Sequence, residues 1–229
     1  IEYEKQTRGI MHFYTSQAEF DAAIAPTERM QELGCERHFI DINTAASLEP
    51  ALYPIAHKLI GATYTSRDES GNAYLFTQRL AEHCKQEGVK FLYDTDILAL
   101  NADVHSSQSH VHSLTIRPIG ENAQTFSADS FVIALGSYSV PLVKPLDVHL
   151  PIFPAKGYSA TYQINPRSPH AAPFISLIDA EYKLVMSRLG DKLRVAGTAE
   201  FNGYNMDLNM TRCQAITARV QQLFPKGII

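Results

Sequence analysis

The chain has 229 residues, with 20 Lys plus Arg against 24 Asp plus Glu, which gives a formal net charge of −4. This balance argues against a nucleic-acid-binding protein whose affinity comes from a basic face. Hydrophobic residues make up 45% of the chain. That share is enough for a large core and excludes collagen-like, disordered and disulfide-scaffold proteins. At about 150 residues per domain, the length predicts one large domain or two small ones.

No membrane span or targeting segment is visible in the sequence. The longest uncharged, apolar-rich run covers residues 130–143, which is shorter than the roughly 20 residues that a bilayer requires. The chain begins with Ile1, so we expect it to be processed or cut from a longer protein. Its three cysteines lie far apart with no CxxC pair, which favours free thiols in a reducing compartment.

The first third of the chain predicts strands that flank helices. Residues 11–14 and 61–65 have the composition of short strands. Between them, Ser16 and Glu19 match a capping box at a helix start. Pro26 should break or kink that helix, because proline lacks the amide hydrogen that a helix interior needs.

A longer helix is predicted from about Ala73. Phe76, Leu80 and Cys84 recur at four-residue spacing, as one apolar stripe of a helix requires. Gly88 is a natural stop for this helix.

Strands are predicted after this helix, at residues 89–93, 97–100 and 111–117. The run at residues 131–135, Phe-Val-Ile-Ala-Leu, is continuously apolar and ends at Gly136. Such a run is typical of a strand that is buried on both faces, as in a sheet covered by helices.

The last third predicts an antiparallel meander and a final helix. Residues 158–164 alternate between apolar and polar side chains, the pattern of a sheet with one solvated or ligand-facing side. Further strands are predicted at residues 174–178, 182–187 and 193–198, with a hairpin turn at 190–191. The final helix starts with a capping box at Thr211 and Gln214, and its apolar stripe is Ile216, Val220 and Leu223.

This order of elements predicts a fold of α/β plus α+β class, in which the chain passes between two structural units. The borders fall near Arg67 and Leu150. The chain contains no GxGxxG, P-loop, HExxH or GxSxG motif, which argues against a self-contained nucleotide enzyme or metalloprotease. His110 and His112 have no carboxylate or cysteine at ligand spacing, so residues 106–112 predict a surface loop, and we predict no metal site.

Several strand ends carry residues that could contact a ligand. Gly136 ends a predicted strand and is followed by small polar residues, which lets another molecule approach the backbone. Lys156 and Gly157 precede the alternating strand. An ordinary loop glycine and a solvated turn lysine remain open as alternatives. Neighbouring strand ends also predict a polar pocket of four side chains, Tyr182, Arg188, Thr198 and Glu200.

Three ordered blocks connect the chain to a known family: FVIALGSYS at 131–139, PIFPAKGYS at 151–159 and RLGDKLRVAGTAE at 188–200. They closely resemble the small subunit of bacterial D-amino acid dehydrogenases. That family is a branch of the FAD-dependent D-amino acid oxidase and glycine oxidase group. Shorter blocks at 9–14, 48–50 and 76–81 extend the resemblance to nearly the whole chain.

The resemblance implies part of a Rossmann-like FAD-binding domain with an antiparallel-sheet substrate domain, both discontinuous. Residues 1–67 and 150–229 would be the first and second parts of the substrate domain, and residues 68–149 the middle part of the FAD-binding domain. It also implies an interior fragment. The family's GxGxxG loop and its Gly-Leu-Arg-Pro block, whose arginine binds the substrate carboxylate, are both missing from this sequence. We therefore expect the 229-residue chain alone to be inactive and to hold little or no FAD.

The implied reaction is the oxidative deamination of a D-amino acid, such as D-alanine, to a 2-oxo acid and ammonia by hydride transfer to flavin. The implied electron acceptor is a quinone or another respiratory-chain component. The implied location is the cytoplasm, with at most peripheral association with the inner face of the bacterial inner membrane.

The resemblance also assigns residues to FAD and substrate, although it identifies no certain catalytic residue. Ile97 would offer backbone contacts to the adenine side of FAD. Positions expected against its ribityl or pyrophosphate part are Ala134, Leu135 and Gly136. Positions expected near the flavin ring are Lys156 and Gly157. Substrate-binding positions are Tyr182 and Thr198.

Two alternatives remain open. One is a flavoenzyme of the glycine, sarcosine or proline oxidase type. The other is a non-catalytic module that binds an amino acid or a partner protein through an exposed sheet.

Overall fold

The structure, a computed structural model, describes residues 1–103 and 110–229. Two compact units are assembled from separated stretches of the chain. The first unit comprises Ile1–Glu82, Lys156–Glu200 and Asn205–Ile229, and the second comprises His83–Ala155 and Phe201–Tyr204. The chain therefore leaves the first unit and returns to it twice. The assignment of these units to FAD and to substrate remains a prediction.

The strands of the described residues are β1 (Ile10–Tyr14), β2 (Arg37–Ile40), β3 (Gly61–Thr65), β4 (Thr95–Ala102), β5 (Val111–Pro118), β6 (Gln124–Ser127), β7 (Lys156–Gln163), β8 (Ser176–Asp179), β9 (Leu184–Leu189) and β10 (Lys192–Glu200). The α-helices are α1 (Gln17–Ala22), α2 (Ile24–Glu32), α3 (Ile42–Leu48), α4 (Ala73–Gln86), α5 (Ser139–Val143) and α6 (Met210–Leu223). None of the helices in the described ranges is both long and apolar enough to span a membrane.

The first unit is built on a seven-stranded sheet in the order β2-β3-β1-β8-β9-β10-β7. The pairing of β1 with β8 is parallel, and the other neighbouring strands are antiparallel. The turn between β9 and β10 contains Gly190 at φ +59, a left-handed conformation that glycine adopts without strain. The hairpin predicted at this position is therefore confirmed.

The two faces of this sheet differ in what covers them. On one face, here called the core face, Tyr158 of β7 is buried and α6 packs with Ile216, Val220 and Leu223. The predicted alternation along β7 is thus confirmed, and so is the predicted apolar stripe of the last helix. The opposite face, here called the open face, carries a row of register partners across five strands: Ser159, Ala196, Val185, Ile178 and His12.

The second unit contains the three-stranded antiparallel sheet β4-β5-β6. Leu100 and Ile116 are buried on it. The prediction of a buried strand at residues 131–135 is wrong, because this run has no regular structure and Val132 is 91% exposed. A strand needs a partner for its backbone hydrogen bonds, and no described strand pairs with this run.

The strand predicted at residues 89–93 is also wrong, because this segment is irregular. Its aromatic residues face a cation instead of a core. Phe91 and Tyr93 stack with centroids 5.5 Å apart, and Lys85 Nζ lies 4.8 Å from the Tyr93 centroid. The aromatic residues that suggested a strand therefore pack against each other and against Lys85 at the end of α4.

The helix predicted from Ala73 is confirmed as α4, and the glycine after it, Gly88, has φ +93. The predicted break near Pro26 is confirmed as well. The first helix ends at Ala22, and Pro26 lies in the first turn of α2, where a missing amide hydrogen costs little.

Both predicted capping boxes are wrong. Ser16 makes no side-chain cap bond, and Glu19 pairs with Lys183 at 2.8 Å instead. The cap of α6 is Asn209, whose side chain accepts a hydrogen bond from the Thr211 amide at 3.2 Å. The serine and threonine matched the spacing of the motif, but Asn209 provides the cap contact of α6, and α1 has no side-chain cap bond.

Candidate functional site

A β-bulge at Thr198 shapes one end of the first unit's sheet. The register between β10 and β7 shifts between Gly197 and Ala199, and Thr198 has φ +55. This conformation is costly for a β-branched residue. A Cβ at Gly197 would lie 2.3 Å from Leu184 Cδ2, so the residue beside the bulge must be glycine. Bulges re-aim side chains, and here Thr198 faces α6.

The first turn of α6 brings Arg212 to the bulge. Arg212 donates from Nη1 to Thr198 Oγ1 and from Nε to Glu200 Oε2 at 3.1 Å. The other oxygen of Glu200, Oε1, accepts hydrogen bonds from Lys156 Nζ and from the Tyr158 hydroxyl, each at 2.7 Å. Two cations therefore share one carboxylate, and we call Lys156, Tyr158, Thr198, Glu200 and Arg212 the Glu200 cluster.

Hydrogen bonds within the cluster stabilise the ionised forms of Glu200 and Lys156. The bond from Lys156, followed by the bond from Tyr158, lowers the pKa of Glu200 to about 2. The same bond to Glu200 raises the pKa of Lys156 above its usual value. Because Lys156 and Arg212 carry two positive charges and Glu200 one negative charge, the cluster has a net charge of about +1 near neutral pH.

A small pocket opens beside this cluster. It has a volume of about 240 Å³, and its wall includes Tyr182, Leu184, Thr198, Arg212, Ala215 and Ile216. One side is polar and charged, and the other is aliphatic. This combination suits a small ligand with one anionic end and a short apolar side chain.

The Tyr182 ring at the pocket edge is half-exposed, and buried charges position it. Arg219 of α6 places its guanidinium carbon 3.9 Å from the ring centroid. Asp179 is fully buried; its Oδ2 accepts a hydrogen bond from Arg219 Nε at 2.7 Å, and its Oδ1 accepts one from the Tyr182 amide at 3.2 Å. The ring therefore rests on a buried ion pair.

The structure brings some of the predicted site residues together and separates others. Tyr182 and Thr198 line the same pocket, and Lys156 lies in the adjacent cluster. Gly157 alternates with Tyr158 along β7 and is exposed, so it belongs to the open face. The pocket and Gly157 therefore lie on opposite faces of the sheet.

The prediction that Arg188 joins this pocket is wrong. It lies near the far end of β9, paired with Leu193, whereas Tyr182 precedes the start of the strand. Arg188 donates hydrogen bonds to the carbonyls of Pro169, Ala172 and Pro173. Antiparallel strands bring the start of one beside the end of the next, so only one end of β9 reaches Thr198.

The cofactor positions predicted in the second unit are exposed or backed by open space. Ile97 on β4 is 40% exposed and Leu135 is 39% exposed. Ala134 lies in the same irregular, exposed run. Gly136 has φ +55, and a Cβ there would meet no heavy atom within 4 Å. Another molecule can therefore approach this backbone closely.

The described residues contain no group of three or more His, Cys, Asp or Glu that could hold a metal ion. His112 Nδ1 lies 3.1 Å from Ser113 Oγ, and its Nε2 lies 4.0 Å from Asp103 Oδ1. The predicted loop at 106–112 lies partly outside the described residues. Cys35, Cys84 and Cys213 are free thiols.

Sequence reasoning missed Arg212, Asp179 and Arg219. Arg212 could have been found, because it lies four residues before Ile216 and so continues the apolar stripe of α6. A charged residue at such a position needs a buried partner. No comparable signal marked Asp179, which is the last residue of the short strand β8.

A model of the family described as FAD dependent oxidoreductase matches residues 1–228. A D-amino acid dehydrogenase of Dechloromonas aromatica (strain RCB) is 45% identical over 226 residues, which cover 99% of this chain and 53% of the relative. A D-amino acid dehydrogenase of Paramagnetospirillum magneticum is 39% identical, and the match covers 99% of this chain and 51% of the relative. The chain thus spans about half the length of these curated relatives.

Two solved structures share the fold. Glycine oxidase from Geobacillus kaustophilus superposes with a TM-score of 0.80 at 18% identity, covering 100% of this chain and 58% of the other. L-proline dehydrogenase from P. horikoshii gives a TM-score of 0.79 at 13% identity, covering 97% of this chain and 57% of the other. The predicted combination of α/β and α+β structure is confirmed by this likeness.

Proposed function

Because the chain belongs to the FAD dependent oxidoreductase family, we propose that it forms part of a flavoenzyme that oxidises D-amino acids. Two relatives named D-amino acid dehydrogenase, at 45% and 39% identity across nearly the whole chain, support this substrate class. The reaction would convert a D-amino acid such as D-alanine to a 2-oxo acid and ammonia. Its electrons would pass to a quinone-type acceptor.

The residues of the second unit fit FAD at the positions that the resemblance assigns. The open space at Gly136 supports close approach of a dinucleotide to the backbone of Ala134, Leu135 and Gly136. Ile97 is exposed on its strand, as a backbone contact to adenine requires. When bound, FAD supplies the hydride acceptor for the substrate Cα.

In the first unit, Gly157 is the better candidate for a contact with the flavin ring. A Cβ at Gly157 would meet no heavy atom within 4 Å, so its backbone is accessible. The amine of Lys156 is held by Glu200 and by the Asp207 carbonyl, at 2.7 Å each. We propose that Lys156 contributes its positive charge near the flavin ring and not a direct contact with it.

Tyr182, at the end of the sheet that carries the Glu200 cluster, is the substrate-binding residue that we propose, and its ring is half-exposed. Tyr182 presents a hydroxyl that can donate to the substrate carboxylate, while Arg219 and Asp179 hold the ring in place. Thr198 presents its hydroxyl from the bulge. Holding a substrate in one orientation is the main contribution that a protein makes to a cofactor-dependent reaction.

The test uses the product of the complete reading frame that contains this chain. Purified protein should carry FAD and should oxidise D-alanine with a quinone analogue much faster than with oxygen. Oxidation of glycine, sarcosine or proline alone, with oxygen as the acceptor, would contradict the proposal. The 229-residue chain, assayed in parallel, should show no turnover and little bound FAD.

A further inference from the structure

The middle of the seven-stranded sheet carries an exposed aliphatic side chain on its open face. Val185 of β9 is 43% exposed, although β9 has a neighbouring strand on each side. On the core face of the same strand, Leu184 and Met186 are buried, because successive side chains of a strand point to opposite faces. The exposure of Val185 is therefore that of a sheet face and not that of a sheet edge.

Val185 forms a small apolar patch with its two neighbours on the open face. Its register partners are Ile178 on β8 and Ala196 on β10, and the Cβ atoms of such partners lie about 5 Å apart. Both partners are partly exposed, and we call Ile178, Val185 and Ala196 the open-face patch. A contiguous apolar surface with a polar border is typical of a ligand-binding site.

Serine side chains border the patch along two of its strands. Ser176 and Ser187 each lie two residues from a patch residue, Ile178 and Val185, and so share its face. The hydroxyl oxygen of Ser176 lies 3.1 Å from that of Ser187 and 2.8 Å from that of Ser70. The apolar surface is therefore only one residue deep along β8 and β9.

The border continues on β10 with a charged side chain. Arg194 lies two residues before Ala196 on the same face, and its Nη2 donates a hydrogen bond to Ser159 Oγ at 3.2 Å. A short aliphatic side chain on the patch would contact only apolar groups. A longer one would displace water from hydroxyl groups and a guanidinium, which is costly because polar groups lose hydrogen bonds.

The patch lies on the same face of the sheet as the proposed flavin contact at Gly157. The next residue of β7 on that face, Ser159, is the register partner of Ala196. Two residues along a strand span about 7 Å, and neighbouring strands lie about 5 Å apart. A small molecule that packs on Ala196 and Val185 can therefore reach the region in front of Gly157.

We propose that Val185 and Ala196 determine specificity by contacting the side chain of the D-amino acid. The inference rests on the proposed function, which places the flavin ring, and with it the reacting Cα, on the open face. The two residues touch no reacting atom, so they act on the choice of substrate and not on the chemistry. Their methyl groups leave room for a short aliphatic side chain and limit longer ones.

Reciprocal substitutions in the product of the complete reading frame test this assignment. The measured quantity is the ratio of kcat/KM for D-norvaline, whose side chain is two methylenes longer, to kcat/KM for D-alanine. Val185→Ala enlarges the space and should raise this ratio about tenfold, whereas Ala196→Val narrows it and should lower the ratio about tenfold, as expected for methylene-sized changes in an apolar site. Shifts in opposite directions cannot come from a general loss of stability.

Val89→Ala is the matched control. It removes the same two methyl groups from a residue that is 49% exposed in the irregular segment after α4. Because Val89 lies outside the seven-stranded sheet, this variant should keep the substrate ratio of the unchanged protein.

Binding of two carboxylates gives a second readout that does not depend on turnover. Propionate and pentanoate correspond to D-alanine and D-norvaline without the amine, so they cannot be deaminated, and the change in flavin absorbance measures their dissociation constants. Val185→Ala should strengthen pentanoate binding relative to propionate binding, and Ala196→Val should weaken it. Ratios of rate and of affinity that both variants leave unchanged overturn the inference, while the proposed function stands. An unchanged protein that oxidises no D-amino acid contradicts the proposed function itself, and this inference with it.

Discussion

Asp179 and Arg219 form an ion pair beside Tyr182, with Oδ2 and Nε 2.7 Å apart. The carboxylate is fully buried, and the guanidinium side chain is 12% exposed. The pair joins the end of β8 to α6, and Tyr182 packs on its cationic side. A charge buried here without its partner would be expensive.

Asp179→Asn should lower the free energy of unfolding by about 3–5 kcal/mol, because it leaves the Arg219 charge buried and unpaired. The amide oxygen of Asn can still accept the bond from the Tyr182 amide, so the loss isolates the ion pair. Urea unfolding at neutral pH measures it. Glu32→Gln, in the exposed pair with Arg29, is the control and should cost less than about 1 kcal/mol. Equal costs for the two variants would contradict this role.

The pKa of Glu200, lowered to about 2 by the bonds from Lys156 and Tyr158, predicts a pH window for its contribution to stability. A carboxyl with a lowered folded pKa stabilises fully above its unfolded pKa of about 4.5 and loses that effect as pH falls toward 2. The stability difference between the unchanged chain and Glu200→Gln should therefore be largest above about pH 4.5. It should shrink toward pH 2. Urea unfolding across this range measures it, and a constant difference would contradict the assignment.

His12 on the open face predicts a second pH effect. Burial, with a smaller contribution from the charge of Arg37, lowers its pKa from 6.5 to about 4. The unfolded chain binds a proton below pH 6.5 that the folded chain binds only near pH 4, so stability falls as the pH drops through this window. His12→Gln should reduce the loss between pH 7 and pH 4.5. Arg37→Met should reduce it less, because burial is the larger cause.

Urea unfolding of the His12→Gln and Arg37→Met variants at pH 7 and pH 4.5 measures both effects. The comparison uses the change in stability between the two pH values, so any cost of a substitution at neutral pH cancels. A His12→Gln variant that loses as much stability as the unchanged chain would contradict a lowered pKa at His12.

Gly197→Ala should destabilise the first unit, because its Cβ would lie 2.3 Å from Leu184 Cδ2 and 2.9 Å from the Lys183 carbonyl. We expect a loss of about 1–3 kcal/mol, the usual cost of overpacking. Gly157→Ala is the matched control. It lies on the paired strand, where an added Cβ meets nothing within 4 Å, and it should be neutral or slightly stabilising. Thermal unfolding compares the two, and a neutral Gly197→Ala would show that the bulge is not tightly packed.

Much of the first unit could be predicted from the sequence because its elements carry their own signals. The alternation along β7 and the stripe of α6 depend only on which residues face the core. The run at residues 131–135 carried an equally clear signal and was misassigned. Its apolar composition predicts a strand buried in a sheet. However, no described strand pairs with this run.

The site was less predictable because its contacts join distant parts of the chain. Tyr182 and Thr198 were identified by resemblance, and Glu200 by its place at a strand end. The contact of Arg212 with Glu200 depends on how the first turn of α6 meets the bulge at Thr198, which no local pattern specifies. Spacing alone also could not show that Arg188 lies at the other end of β9.

Anaerobic reduction of the flavin directly tests whether a D-amino acid is the substrate. The product of the complete reading frame is mixed with D-alanine without oxygen, and flavin absorbance is followed, with L-alanine and glycine in parallel samples. We expect bleaching by D-alanine and much slower bleaching by L-alanine and glycine. Bleaching by glycine but not D-alanine, or a purified protein without bound FAD, would contradict it.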